Sequence, residues 1–142
     1  MDVDKKQLMQ DLLAEPVLAR LATADPQTLQ PHVVPVWFWW DGSSLWISAF
    51  VSTRKVKELL KNQRCAVLIE PTQPKGSPLQ AVLLEGAAEV IREPADLVAQ
   101  MSERIYAKYL GPDGVLAAEP QSWMRDPENR LVKLTPSKQM TW

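Results

Sequence analysis

The sequence predicts a mainly β protein of the α+β class, an antiparallel barrel with flanking helices. Three observations support this prediction: short strand-like runs recur between turn residues, helical periodicity is confined to a few segments, and strands and helices do not alternate as a parallel sheet requires. The 142 residues are 46% apolar and 23% charged, values typical of one globular domain. We therefore expect a single domain over residues 1–142.

The first half of the chain contains a predicted helix and three predicted strands. Leucines recur at helical spacing over residues 4–14, which predicts the helix. The strands are expected over residues 17–23, 32–40 and 45–50, with turns at Asp25-Pro26 and Asp41-Gly42. The strand 32–40 is apolar on both faces, so we expect one face in the barrel interior and the other under a helix or a partner subunit.

Two further helices are predicted in the second half. Ser52-Thr53 opens a helix that stops near Asn62, and its buried stripe is expected to be Val56, Leu59 and Leu60. Pro94 stands at the first position of the next helix, which extends through Tyr109 and ends at Gly111-Pro112. Residues 113–127 carry no pattern that predicts an element.

The second half also contains three predicted strands, over residues 65–70, 80–92 and 131–134. A loop with three prolines, residues 71–78, separates the first two of them. Gly86 lies in the middle of the long strand, where a glycine indicates a bulge or a bend. Residues 136–142 either continue the last strand or form a tail.

Composition and charge exclude several classes of function. Sixteen basic and seventeen acidic residues give a net charge of -1, so nucleic-acid binding by bulk charge is not expected. The longest apolar run, residues 33–40, is far shorter than the roughly 20 residues that cross a bilayer, and no leader segment is recognised. The single cysteine forms no internal disulfide. We therefore expect a cytoplasmic protein without a membrane partner.

The inventory of reactive side chains is equally restrictive. His32 and Cys65 are the only histidine and cysteine, too few for a zinc site, and no Gly-x-Ser-x-Gly turn presents a nucleophile. Neither a phosphate-binding loop nor a dinucleotide fingerprint occurs among the five glycines. A bound cofactor is therefore expected to carry out any redox chemistry. We interpret His32, Cys65, Tyr106 and Tyr109 as packing residues, whereas Trp123 either covers a ligand or caps the barrel.

The segment Ser52-Thr53-Arg54-Lys55 has the chemistry of an anion site. It places two hydroxyls, a guanidinium and an ammonium in the first turn of a helix that directly follows a strand. Free backbone N–H groups and the helix dipole favour an anion there, Arg54 can bind a phosphate through two nitrogens, and Lys55 adds a point charge. The alternative is an ordinary helix start with two solvated cations. The physics alone leaves both open.

The neighbourhood of this segment has a recognisable order. Thr53-Arg54-Lys55 is followed by Leu59, by Asn62 and Arg64, and by an apolar run at residues 67–69. Glu85-Gly86 comes later, in the long strand. This order resembles that of the pyridoxamine 5'-phosphate oxidase-like superfamily of flavin-binding split barrels.

The resemblance implies a six-stranded antiparallel split β-barrel with flanking helices, a homodimer that binds FMN at its interface. It implies that Thr53, Arg54 and Lys55 hold the FMN phosphate. It also implies that two strands line the ribityl chain and the flavin ring, through Val34, Pro35, Val36, Trp37, Ser48, Ala49 and Phe50. The function it implies is that of a flavin-dependent oxidoreductase acting on an unknown small-molecule substrate.

Two alternatives remain at this stage. A deazaflavin-dependent reductase would use the same barrel but needs extra basic residues for a longer anionic tail, and Lys75 is the obvious one. A non-enzymatic flavin- or haem-binding protein is the other, with His32 as the available axial ligand. The chain departs from true pyridoxamine phosphate oxidases in having Ala81 in place of a flavin-contacting glutamine, with Gln80 one position away, and in lacking their C-terminal Arg-x-His.

Overall fold

Seven strand segments form one antiparallel sheet in the computed structural model, which describes residues 3–142. The segments are β1 (Ala19–Ala24), β2 (Pro31–Val36), β3 (Trp39–Trp40), β4 (Leu45–Phe50), β5 (Arg64–Ile69), β6 (Val82–Ile91) and β7 (Asn129–Thr141). Their order in the sheet is β2-β1-β5-β6-β7-β4-β3. The curled antiparallel sheet confirms the predicted fold class, a mainly β member of the split-barrel type.

The two edges of this sheet, β2 and β3, are consecutive in the chain. Only Trp37 and Phe38 separate them, so the sheet has to curl until its edges approach one another. The single strand predicted over residues 32–40 is therefore two segments. The reason is a residue distant in the chain: Phe38 is completely buried and its N–H donates to the Tyr109 hydroxyl at 3.2 Å, which takes this backbone out of the sheet.

Four helices flank the barrel: α1 (Val3–Ala14), α2 (Arg54–Lys61), α3 (Ala95–Gly114) and α4 (Ala118–Arg125). Pro94 lies just before α3 rather than at its first position. The helix α3 is kinked at Gly111, whose φ of 82° is the left-handed value that favours glycine, and Pro112 follows. The helix α4 lies in the stretch for which the sequence predicts no element. No helix in residues 3–142 has the length and hydropathy needed to span a bilayer.

Apolar side chains form two separate clusters. The barrel interior is filled mainly from the strands and closed by α1 and α2, and its least exposed members include Leu13, Leu21, Phe38, Leu59, Ile69 and Leu84. The second cluster, which we call the helix seam, packs α3 and α4 against β4 and β7 through Trp46, Val98, Ile105, Tyr106, Met124 and Leu131. The candidate site lies at the helix seam.

The buried face of α2 differs from the expected one. Val56 and Leu59 are fully buried as predicted, but Leu60 is 59% exposed and Glu58 is buried in its place. The Glu58 carboxylate accepts hydrogen bonds from the Thr23 hydroxyl at 2.7 Å and from Arg54 Nε at 3.0 Å. These two partners satisfy the buried charge, so the helix can turn a leucine outward instead.

The long antiparallel pair of β6 and β7 contains the bulge predicted at Gly86. Its pairing shifts register between Glu85 and Gly86. A Cβ on Gly86 would lie 3.0 Å from the Thr135 carbonyl oxygen and 3.1 Å from the Ser137 nitrogen, so the strands approach too closely here for a side chain. Strand β7 extends to Thr141, so residues 136–141 continue the last strand.

Candidate functional site

A cavity of about 230 Å³ opens between the end of β4, the start of α2 and the helix seam. Its lining consists of Ser48, Ala49, Phe50, Thr53, Lys55, Tyr106, Trp123 and Asn129. The first five of these are residues that the sequence resemblance assigns to cofactor binding. The structure therefore brings together two of the three predicted segments, the strand and the helix start.

Thr53 fixes the turn between β4 and α2. Its hydroxyl donates to the Phe50 carbonyl oxygen at 2.7 Å, and its backbone N–H donates to the same oxygen at 3.1 Å. The Thr53 side chain makes no capping bond to α2. The first turn of the helix therefore begins beside the cavity with its orientation set by the strand.

Lys55 is the cation of the cavity. Its side chain is half-buried, and burial lowers the pKa of its ammonium group from the usual value. Among residues 3–142, no carboxylate forms an ion pair with it. A partly desolvated ammonium without a counter-ion is an attractive site for an anionic group of a ligand.

Arg54 does not line this cavity. It lines a polar groove of about 540 Å³ together with Asp25, Thr28, Gln30, Ser52, Lys57, Glu58 and Lys61. Its Nε forms the ion pair with Glu58. A hydrogen bond from Thr23 lowers the pKa of Glu58, with Arg54 adding to the effect against the cost of burial. The carboxylate is therefore ionised and holds the guanidinium in the groove.

The residues predicted on β2 and just after it do not line the cavity within one chain. Val36 is buried in the barrel interior, Val34 is half-buried against it, and Pro35 is exposed. Trp37 is half-buried, stacks on Tyr109 with centroids 4.8 Å apart, and meets Tyr106 edge-on at 6.2 Å. The outward face of β2 thus leaves Pro35 and the 64% exposed Val33 uncovered.

Four polar side chains form a hydrogen-bonded group at the cavity: Ser48, Tyr106 and Asn129 line it, and Ser102 lies buried behind them. The sequence reasoning found only Ser48, through the resemblance. Ser102 carries a local signal, since it lies four residues after Val98 on the buried face of α3, where a hydroxyl needs a partner. Tyr106 was expected to be a packing residue, and it lies in the cavity wall as well.

The remaining singled-out residues lie outside the cavity, apart from Trp123. The Tyr109 hydroxyl donates to the Val17 carbonyl at 2.7 Å, and burial raises the pKa of this tyrosine to about 12. Burial also raises the pKa of the Cys65 thiol to about 11, which keeps it protonated. His32 pairs with Thr23 across β1 and β2, and Gln80 precedes β6. Trp123 contacts the edge of Tyr106 at 5.8 Å.

The fold and this site define a class: a split-barrel protein with a ligand cavity at a strand-to-helix junction that carries a cation. More particularly, the chain belongs to the pyridoxamine 5'-phosphate oxidase family, whose model matches residues 6–142. No curated protein matches the sequence.

Several solved structures share the fold. An F420 reductase is 21% identical with a TM-score of 0.72, over 92% of this chain and 94% of its own. A conserved hypothetical protein from Mycobacterium tuberculosis is 21% identical with a TM-score of 0.78, and the match covers 100% of this chain and 84% of that protein. General Stress Protein 26 from Bacillus anthracis is 15% identical with a TM-score of 0.71, and the match covers 98% of this chain and 94% of that protein. At these identities the similarity establishes the fold.

Proposed function

We propose that this chain is an FMN-dependent oxidoreductase of the cytoplasm that acts on a small molecule as a homodimer. One observation carries the proposal: Thr53 and Lys55 of the helix start share a cavity with Ser48, Ala49 and Phe50 of the preceding strand. The phosphate and the ring of a flavin need these two kinds of lining, a cation beside free N–H groups and an apolar strand edge.

The cation set at the start of α2 fits a phosphate monoester. Lys55 faces the cavity without a carboxylate partner among the described residues, so an anion gains a charge contact there. Arg54 is held by Glu58 through Nε alone, which leaves the terminal nitrogens of its guanidinium for a second phosphate oxygen. Both cations belong to the first turn of α2: Lys55 lines the cavity, and Arg54 lines the neighbouring groove, from which its free nitrogens would have to reach the phosphate.

The cavity of one chain is too small to enclose a flavin. Its volume of about 230 Å³ is below the roughly 300–1,000 Å³ of ordinary ligand pockets. The uncovered β1–β2 face offers an apolar surface for a second copy, with Leu18 49% exposed and Val33 64% exposed. A homodimer that packs on this face would bring Val34, Pro35, Val36 and Trp37 near a ligand shared by the two chains.

A bound flavin would supply hydride exchange, and the protein would bind and orient it. Lys55 and Arg54 hold the anionic end, whereas Trp123 and Tyr106 cover the apolar part and exclude water. Tyr106 remains protonated at neutral pH, because burial raises its pKa. We assign no side chain as an acid or base.

A deazaflavin-dependent reductase is the second candidate, and the groove around Arg54 favours it. The groove adds Lys57 and Lys61 to Arg54, a cationic stripe that a longer anionic tail could follow. Its two carboxylates are already engaged: Asp25 accepts from the N–H groups of Gln27 and Thr28, and Glu58 holds Arg54. Lys75, the residue expected from the sequence, does not line this groove.

Titration of the purified protein with FMN and with the deazaflavin cofactor tests both candidates. We expect Lys55→Ala to raise the Kd of the bound cofactor at least about tenfold, the effect of one charge-assisted hydrogen bond. The matched control is Lys57→Ala with Lys61→Ala, which should leave FMN binding unchanged and weaken only the deazaflavin. FMN binding that survives Lys55→Ala together with Arg54→Ala would refute the phosphate assignment. A monomer in light scattering at micromolar concentration would refute the shared site.

A further inference from the structure

The polar group on the cavity wall closes into a ring whose hydrogens can be traced one by one. Asn129 Nδ2 donates to Ser102 Oγ at 3.0 Å, Ser102 Oγ donates to Ser48 Oγ at 3.1 Å, and Ser48 Oγ donates to Asn129 Oδ1 at 2.8 Å. Asn129 and Ser102 are 3% and 0% exposed, so water does not compete for these bonds. The ring is therefore a fixed arrangement of donors and acceptors.

The orientation of the Asn129 amide sets the direction of the whole ring. Its nitrogen lies 3.3 Å from the Met124 carbonyl oxygen, which can only accept a hydrogen bond. The nitrogen must therefore face Met124 and Ser102, and the amide oxygen must face Ser48. Flipping the amide would set two oxygens against each other at Met124.

The ring leaves Ser48 without a hydrogen for Tyr106. A serine hydroxyl has one hydrogen and two lone pairs, and Ser48 gives its hydrogen to the Asn129 oxygen. The Tyr106 hydroxyl lies 2.7 Å from Ser48 Oγ, so in this pair the tyrosine has to be the donor. Its hydrogen therefore points toward Ser48. Ser102 also lies within hydrogen-bonding reach of the Tyr106 oxygen, but it gives its hydrogen to Ser48, so the tyrosine oxygen keeps an acceptor site for a ligand in the cavity that it lines.

We infer that Tyr106 selects the ligand by accepting a hydrogen bond from an N–H or O–H group of the molecule bound in this cavity. This inference rests on the proposed function and adds a requirement to it: the ligand carries a hydrogen-bond donor as well as an anionic end. Tyr106 is 7% exposed and lines the cavity beside Lys55. A ligand without a donor would leave this buried oxygen with an unfilled acceptor site, which weakens binding.

Tyr109, three residues further along α3, provides the contrast. Its hydroxyl donates a hydrogen bond to the Val17 carbonyl and accepts one from the Phe38 N–H. Both its donor and its acceptor site are therefore occupied by protein groups. It does not line the cavity. The Tyr106 oxygen therefore keeps an acceptor site for a ligand, whereas the Tyr109 oxygen does not. Replacing each tyrosine by phenylalanine distinguishes a hydrogen bond to the ligand from hydrogen bonds within the protein.

The experiment measures Kd values for FMN and for N3-methyl-FMN with the wild type, Tyr106→Phe and Tyr109→Phe. We expect Tyr106→Phe to raise the Kd of FMN about tenfold, the cost of a buried donor left unpaired. Tyr109→Phe should change that Kd less than about twofold while lowering the Tm, since Val17 and Phe38 lose their partner. Thermal melting checks that each variant is folded; if Tyr106→Phe is not, the Kd of N3-methyl-FMN for the wild type, compared with that of FMN, tests the ring donor without a substitution.

The methylated ligand identifies the donor. If the ring N3–H is the donor, N3-methyl-FMN binds the wild type and Tyr106→Phe equally, whereas a ribityl hydroxyl donor makes Tyr106→Phe weaken both ligands. Either pattern supports the inference. Unchanged FMN binding in Tyr106→Phe, with Lys55→Ala still weakening it, overturns the inference and leaves the proposed function standing. Absence of binding by the wild type to FMN and to the deazaflavin overturns both.

Discussion

The barrel interior and the helix seam are built on different principles. In the interior, side chains such as Leu21, Ile69 and Leu84 are no more than 1% exposed and belong to a cluster of apolar side chains. At the helix seam, Ser102 and Asn129 are buried just as deeply, but each is paired with other polar groups beside a cavity. We infer that the interior supplies most of the folding stability, whereas the helix seam holds polar groups in place for a ligand.

The largest expected effect is on the interior side of this comparison. Leu84→Ala should lower the free energy of unfolding by about 3 kcal/mol, because a completely buried leucine leaves a cavity. Urea unfolding measures the loss. The matched control is Leu60→Ala on α2, where the side chain is 59% exposed and the expected loss is below about 0.5 kcal/mol. Equal losses at the two positions would contradict the assignment of the interior.

A smaller effect is expected at the seam. Asn129→Ala removes the amide that holds Ser48, Ser102 and the Met124 carbonyl, and should lower the free energy of unfolding by about 1–3 kcal/mol. Asn62→Ala is the comparison, since its partly buried amide makes only two long bonds: it donates to the Ala24 carbonyl at 3.3 Å and accepts from the Arg64 N–H at 3.2 Å. If both variants melt at the same temperature, the polar ring contributes no more than the two long hydrogen bonds of Asn62.

A smaller effect is expected from the pH dependence of Lys108, since solvent reaches its half-buried side chain and screens the charge. Its Nζ donates to the Leu13 and Phe38 carbonyls at 2.9 and 3.2 Å and lies 3.6 Å from the centre of the Phe38 ring. Burial lowers the pKa of this lysine to about 8 from a usual value of 10.5. Between these pH values the unfolded chain binds more protons than the folded one, so stability from this group rises with pH.

Lys108→Met isolates this contribution. The difference in free energy of unfolding between the wild type and the variant should rise from about pH 8 to pH 10.5 and be flat below pH 8. Cys65 titrates in the same range with the opposite sign, but it is present in both proteins and cancels. Parallel curves for the two proteins would contradict the lowered pKa.

Much of the fold could be predicted because local pattern and turn chemistry agree with it. The leucine spacing of α1 and the glycine of the bulge at position 86 are signals that neighbours in sequence carry. The predictions are wrong where a residue distant in the sequence determines which side chain is buried. Glu58 is buried because Thr23, thirty-five positions earlier, offers it a hydroxyl, and no periodicity within α2 contains that information.

The candidate site was also predictable only where its residues are close in sequence. The junction at Thr53 and Lys55 was predicted because strand, helix start and cation are adjacent in sequence. The wall formed by Tyr106 and Asn129 was missed, since each joins Ser48 only through the packing of the helix seam. Apolar spacing on α3 indicates which face is buried, but it does not indicate that a cavity lies against part of that face.

The continuity of β2 and β3 through Trp37 and Phe38 has a topological consequence. Both edge strands of the sheet belong to one continuous segment of the chain. The register of the β1–β2 hairpin is therefore coupled to the register of the β3–β4 hairpin. One residue inserted between them would exchange the inward and outward positions of everything that follows in β3. The segment from β2 to β3 therefore has a fixed length. We expect insertions and deletions among natural variants in the loop at residues 71–78 instead.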